Sequence, residues 1–236
     1  MELSRDAFLE GQVLLVDKPY GWSSFQALNA VKWTLRRAFD LKKIKVGHAG
    51  TLDPLATGLL LICTGKATKT IADLQGMPKT YEGALVLGHT TPSFDLETEP
   101  EPSGSWEGLT PADLEAAAAR FTGTIRQRPP VFSAIKKDGK RLYEYARKGK
   151  EVEVPERTVT ITRLEITGID WPEVRFTADC SKGTYIRSLA HDLGQELGCG
   201  AYLSALKRTK IGSYSVDNAV TPDAFKARFR EAGFSL

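Results

Sequence analysis

An α+β fold with a mainly antiparallel mixed sheet and flanking helices is what this sequence predicts, and three features predict it. Two alternating runs, residues 158–169 and 174–180, are placed to pair as neighbouring strands. Helix caps stand at Ser23, Thr110 and Thr221. Strand and helix signals are mixed without the strict βαβ order of a parallel sheet, and no internal repeat is present.

Each element follows from local chemistry. Val13-Leu14-Leu15-Val16 reads as a short buried strand ended at Asp17-Lys18-Pro19, with a turn around Gly21. Ser23 with Gln26 is a capping-box pattern, and Phe25, Leu28, Val31 and Leu35 give the helix that follows an apolar stripe. A glycine-bounded loop, Gly47 to Gly58, leads into the strand Leu59-Leu60-Leu61-Ile62-Cys63. Residues 68–74 form a short helix, and residues 81–87 a strand with Tyr81, Gly83, Leu85 and Leu87 on one face. Prolines and glycines make residues 93–108 a loop or edge insertion. Thr110-Pro111-Ala112-Asp113 supplies an N-cap, a first-turn proline and a first-turn acid, opening a helix to about Phe121. A Pro129-Pro130 break precedes a basic segment and then the paired strands. Ile186, Leu189, Ala190, Leu193 and Leu197 form a helical stripe closed by Gly198. Val216 ends a last strand, and Thr221-Pro222 caps a terminal helix.

Composition narrows the function classes. The 236 residues are 42% hydrophobic and carry 32 Lys+Arg against 29 Asp+Glu, a formal charge of +3. No apolar run approaches the roughly 18 residues of a membrane span. The first six residues carry acids and no apolar stretch, so no secretory leader is expected and the setting is cytoplasmic. Three scattered cysteines, Cys63, Cys180 and Cys199, fit reduced thiols better than a disulfide framework.

The charge is segregated. Residues 94–119 hold seven acids and no Lys or Arg, whereas residues 136–150 hold seven basic residues against two acids. Residues 32–45 hold six basic residues and one acid, and residues 182–210 hold five and two. Each such run taken singly is as well explained as a solvated face. Together, with Tyr143, Tyr145, Tyr185 and Tyr202 among or beside them, they suit RNA or DNA, because cations take phosphates and aromatics take unstacked bases.

Common catalytic motifs are absent. Gly58 to Gly65 encloses six residues where a phosphate loop needs four, and Ala67 stands where Ser or Thr is required. His48, His89 and His191 have no metal-ligand spacing, so neither metal nor cofactor is expected. No GxSxG elbow exists. What remains is Asp53, before Pro54 in the glycine-bounded loop; an Asp-Pro between glycines is by itself most often a turn.

The twelve residues from Gly47 to Gly58, GHAGTLDPLATG, closely resemble the catalytic motif of the tRNA pseudouridine synthase B (TruB) family. Asp17-Lys18-Pro19 with Gly21 and Ser23-Ser24 resembles that family's first motif, and Lys79-Thr80-Tyr81 its stacking-tyrosine strand. Tyr143-Glu144-Tyr145-Ala146-Arg147 with Gly149 is similar to its RNA-clasping insertion, here about residues 126–157. Ser181-Lys182-Gly183-Thr184-Tyr185-Ile186-Arg187 and Leu206-Lys207-Arg208-Thr209 through Gly212 are similar to its later motifs. The resemblance runs in the family's order over nearly the whole chain.

The resemblance implies an isomerase that detaches the T-loop uridine at tRNA position 55, turns the base and rejoins it through carbon. It implies Asp53 as the catalytic carboxylate and Arg187 as its cationic partner. It implies Tyr81 as the surface on which the flipped base stacks, Tyr185 and Leu206 as further pocket walls, and His48 as a contact to displaced T-loop nucleotides. Lys18 and Pro19 are read as a loop buttress. The expected partner is the tRNA T-arm, engaged by a monomer without guide RNA. About twenty residues follow Val216, so one catalytic domain, 1–236, is expected without the family's C-terminal PUA domain.

Overall fold

The structure, a computed structural model, describes residues 3–133, 135–137, 139–146 and 152–236. In chain order it opens with α1 (Arg5–Glu10), β1 (Val13–Lys18), α2 (Ser24–Ala38), β2 (Val46–Ala49), β3 (Ala56–Thr64), α3 (Ile71–Gly76) and β4 (Lys79–Leu87). It continues with β5 (His89–Thr90), β6 (Glu101–Pro102), α4 (Pro111–Arg120), β7 (Gly123–Gln127), β8 (Lys136–Lys137), β9 (Lys140–Arg141) and α5 (Leu142–Ala146). It closes with β10 (Arg157–Asp170), β11 (Glu173–Cys180), α6 (Ile186–Glu196), β12 (Ala201–Ile211), β13 (Tyr214–Ser215) and α7 (Pro222–Glu231). The class is the α+β one the sequence predicts: β1–β3, β2–β3, β7–β10, β10–β11 and β12–β13 all pair antiparallel. Two compact units are formed, Met1–Tyr81 with Lys207–Leu236, and Glu82–Leu206.

In the first unit β3 is central. β1 pairs with it from Gly58 to Cys63, and β2 from Leu61 to Thr64. The alternation of a strand sends Leu60 and Ile62 into a core with Val16, Leu28, Val31, Leu35, Phe225 and Phe229. Leu59, Leu61 and Cys63 enter a second core with Ala49, Leu74 and Ile211. Burial on both faces explains the unbroken apolar run, each leucine contributing about 1.5–3 kcal/mol. α2 starts as predicted, with Ser23 and Gln26 closing both bonds of the capping box. Its stripe is corrected at one position: Ala27, Leu28, Val31 and Leu35 are buried, but Phe25 is 66% exposed. The glycine loop is also shorter than expected, since Gly47 lies in β2 and Gly58 in β3. Gly58 is a close-approach glycine, because a Cβ there would lie 2.3 Å from the Arg208 carbonyl oxygen of β12. α1, and β12 as the long strand of this region, went unrecognised in the sequence.

In the second unit β7 pairs with β10 and β10 with β11, with register shifts between Ile161 and Arg163 and between Ile166 and Gly168. α4 starts at the predicted N-cap Thr110, where Thr110 and Asp113 close a capping box, and it buries Leu114, Ala117 and Ala118. The acidic insertion is more ordered than a solvated loop: β6 pairs with β5, and Ser93 and Asp95 are buried. β8, β9 and α5 occupy the basic segment, while residues 147–151, with Arg147 and Gly149 of the RNA-clasping motif, lie outside the described residues. Among the described residues no helix is long and apolar enough to cross a membrane.

Candidate active site

His48, Asp53 and Tyr81 belong to the first unit, and Tyr185, Arg187 and Leu206 to the second. Around Asp53 the backbone is pinned at alternate residues. Gly50 turns the chain out of β2 with φ +93°, and its carbonyl accepts a bond from the Arg208 guanidinium at 3.1 Å. Arg208 Nε also bonds the Leu59 carbonyl at 2.8 Å. Ser24 Oγ accepts from the Leu52 amide at 2.8 Å and donates to the Leu52 carbonyl at 3.0 Å. The Pro54 carbonyl accepts from the Gly21 amide at 2.9 Å and from Lys18 Nζ at 3.4 Å. Asp53 itself is partly exposed, and its carbonyl accepts the Ala56 amide at 3.1 Å. A carboxylate presented this way can attack an electrophile or take a proton without moving its loop.

Lys18 is fully buried, and its ammonium also bonds the Trp22 and Pro19 carbonyls at 2.6 and 3.0 Å. Burial brings its pKa down to about 8, against the opposing field of Asp53, and Arg208 lowers it further. This geometry matches the buttress read from the sequence. Arg208, counted there in a basic face, is 1% exposed and is likewise internal. His48 sits on β2 with Nδ1 buried and, among the described residues, without a hydrogen-bond partner. Burial, then Arg208, hold its pKa below the usual histidine value. Tyr81 is 9% exposed on β4.

In the second unit, Tyr185 is the N-cap of α6 and is fixed by a reciprocal pair with Gln127 of β7. The Tyr185 amide donates to Gln127 Oε1 at 2.8 Å, and Gln127 Nε2 donates to the Tyr185 carbonyl at 3.0 Å. The Arg157 guanidinium lies 5.2 Å from the centre of the Tyr185 ring. Arg187, the second residue of the helix, is buried. Its terminal nitrogens donate to the Ser93 and Phe132 carbonyls at 2.9 and 2.8 Å, and its Nε lies 3.6 Å from Asp95 Oδ2. Asp95 follows Phe94, which takes the left-handed conformation at φ +65° and stacks on His191 at 3.9 Å. A non-glycine residue there costs on the order of 1–3 kcal/mol and is held by its surroundings. Leu206 is half-buried on β12.

Sequence reasoning missed Asp95 and Gln127. Nothing in the acidic run sets Asp95 apart from its neighbours, whereas Gln127 has one signal, a polar residue ending an alternating strand. Among the described residues no three His, Cys, Asp or Glu side chains are grouped to hold a metal ion.

Residues 36–186 match the TruB family pseudouridylate synthase (N terminal domain), and residues 187–232 match the tRNA pseudouridylate synthase B C-terminal domain. These matches put the chain among the pseudouridylate synthases, which are isomerases. Proteins named tRNA pseudouridine synthase B are 54% identical in Flavobacterium johnsoniae, over 95% of this chain and 98% of that one, and 50% identical in Parabacteroides distasonis, over 92% of each. The chain belongs to the TruB family of tRNA pseudouridine synthases. Among solved structures, a chain from a Cbf5-Nop10-Gar1 complex is similar at TM-score 0.72 and 28% identity, over 98% of this chain and 59% of that one. One from an H/ACA RNP bound to a substrate RNA is similar at TM-score 0.68 and 26% identity, over 97% of this chain and 57% of that one.

Proposed function

We propose that this chain isomerises the T-loop uridine at position 55 of tRNA to pseudouridine, with Asp53 as the catalytic carboxylate. The observation that carries the reading is the loop itself: backbone bonds at Gly50, Leu52 and Pro54 fix the chain on both sides of a carboxylate that keeps access to solvent. In the reaction the bond from C1′ of the ribose to N1 of the base breaks and one to C5 forms. The C5 proton leaves and N1 gains one, so no external reactant is consumed. The uridine is first flipped from its stack, at a cost of a few kcal/mol. Tyr81 offsets part of that cost as a stacking surface, worth about 1–3 kcal/mol per base. Tyr185 and Leu206 complete the walls, and His48 meets the displaced nucleotides. Arg187 is assigned the role of cationic partner to the carboxylate; within its own unit its Nε lies 3.6 Å from Asp95 Oδ2.

The working unit in this reading is one catalytic domain, 1–236, whose 126–157 insertion clasps the T-arm. It acts in the cytoplasm as a monomer without guide RNA. Asp53→Asn is expected to fold and bind tRNA yet form no pseudouridine in single turnover, as read by site mapping. A wild-type rate in that variant would refute the role of Asp53. The similar chain from an H/ACA RNP raises a guide-dependent alternative, which conversion of a bare tRNA transcript by the isolated protein would eliminate.

A further inference from the structure

We infer that a basic cavity at the end of β3 remote from Asp53 is a second phosphate-binding site, one that holds the backbone of the substrate RNA away from the nucleotide being isomerised. The inference rests on the RNA reading above and adds a location to it. The cavity, about 770 Å³, is lined by Lys32, Arg36, Lys42, Lys43, Lys45 and Lys69, with Lys66 beside them. Topology assembles this cluster. Val46, the first residue of β2, pairs with Thr64, the last of β3, and the Gly65 amide bonds the Lys45 carbonyl at 2.9 Å. The 42–45 loop is thereby held against the 3-10 turn Gly65–Thr70, with Ile44 buried as its anchor.

The charges are uncompensated. Lys66 pairs with Glu10 at 2.7 Å, but none of the other six has a carboxylate within 4.0 Å among the described residues. The dipole of α2 favours a cation at its last turn by about 0.3–1 kcal/mol, which explains Arg36. It explains none of the cations on the 42–45 loop or the 3-10 turn. Like charges converging on one concavity repel unless a polyanion enters it. Among the described residues no aromatic side chain lines the cavity, so it offers cations to phosphates and no platform to a base. Asp53 lies just before the first residue of β3 and the cavity just beyond its last. The nine-residue strand between them spans about 27 Å at 3.3–3.4 Å per residue. An RNA that fills both must extend well beyond the flipped nucleotide.

The test compares Lys43→Gln/Lys45→Gln with Arg228→Gln/Arg230→Gln, which removes the same charge from exposed positions of α7. All four side chains are exposed, so both variants keep the fold. KM and kcat are measured on an unmodified tRNA transcript over a range of salt concentrations. The cavity variant is expected to raise KM roughly 10- to 30-fold at 0.15 M salt, the counterion-release value for two lost phosphate contacts. Its log–log salt slope becomes shallower by roughly 1.4–1.8, with kcat at saturation unchanged. The α7 variant keeps wild-type values. Equal behaviour of the two variants, or an unaltered salt slope, overturns the site while leaving the isomerase reading intact. If the wild type makes no pseudouridine in the transcript, the isomerase reading is what fails. Filter binding of the same variants to the same RNA then decides the cavity, and equal affinities reject it.

Discussion

Arg187 donates to two carbonyls and turns its Nε toward Asp95, with side-chain exposures of 4% and 8% for the pair. A charge removed from water to that degree needs its counter-charge, and taking one partner away from a buried pair costs about 3–5 kcal/mol. Asp95→Asn keeps the shape and deletes the charge. Because the Ser93 and Phe132 carbonyls still hold the guanidinium, the expected loss is at the low end, about 3 kcal/mol. Urea unfolding measures it, and a loss under about 1 kcal/mol would mean that Arg187 does not depend on Asp95. The placement of this carboxylate was not legible in the sequence. It follows from a left-handed Phe94 stacked on His191 and from a bridge between Asp95 and Leu203 of β12, both contacts between residues distant in sequence.

In the proposed reaction, the element that most directly positions Asp53 is the loop between β2 and β3. Ser24, first residue of α2 and 2% exposed, satisfies both the amide and the carbonyl of Leu52. Ser24→Ala leaves two backbone groups without that partner, at about 1–3 kcal/mol for each buried group. If the hydroxyl fixes Asp53, kcat on tRNA falls about tenfold or more while KM changes less than twofold, since 1.36 kcal/mol in the barrier is tenfold in rate. A lower melting temperature with an unchanged kcat would reduce Ser24 to a structural part. Elements of this kind were legible where their causes are local. The box Ser23–Gln26 and the N-cap Thr110 act within one turn, and both form as read. β12 was not legible, because Lys207, Arg208 and Lys210 interrupt its apolar alternation. Arg208 is internal only because the Leu59 and Gly50 carbonyls, 149 and 158 residues away, receive it.

Across the whole molecule, charge arithmetic and charge placement diverge. Lys18, Lys79, Arg187 and Arg208 add to the formal +3, yet all four are buried, three of them bonded largely to backbone carbonyls and Arg187 also facing Asp95. The polyanion signal of the sequence therefore rests on the exposed cations, those of the 42–45 loop among them, and less on the 182–210 run than its count suggests. Titration of the fold carries a matching signature at Asp192 of α6. Burial raises its pKa to about 6, with Arg128 opposing and Glu156 adding to the rise. The folded pKa is thus above the unfolded value of about 3.9, so the fold favours the protonated acid. Below about pH 4 both states are protonated and the group is neutral to stability. Between about pH 4 and 6 the unfolded chain ionises first, and this residue's contribution falls as pH rises; above about 6 the penalty is constant. Carboxylates such as Asp113, held low by bonds from Thr110, act in the opposite direction over a lower range. Asp192→Asn removes only the first effect. Its urea midpoint relative to wild type is expected to climb from pH 4 to pH 6.5 and then level off. A difference independent of pH would place Asp192 in contact with water throughout and remove burial as the cause.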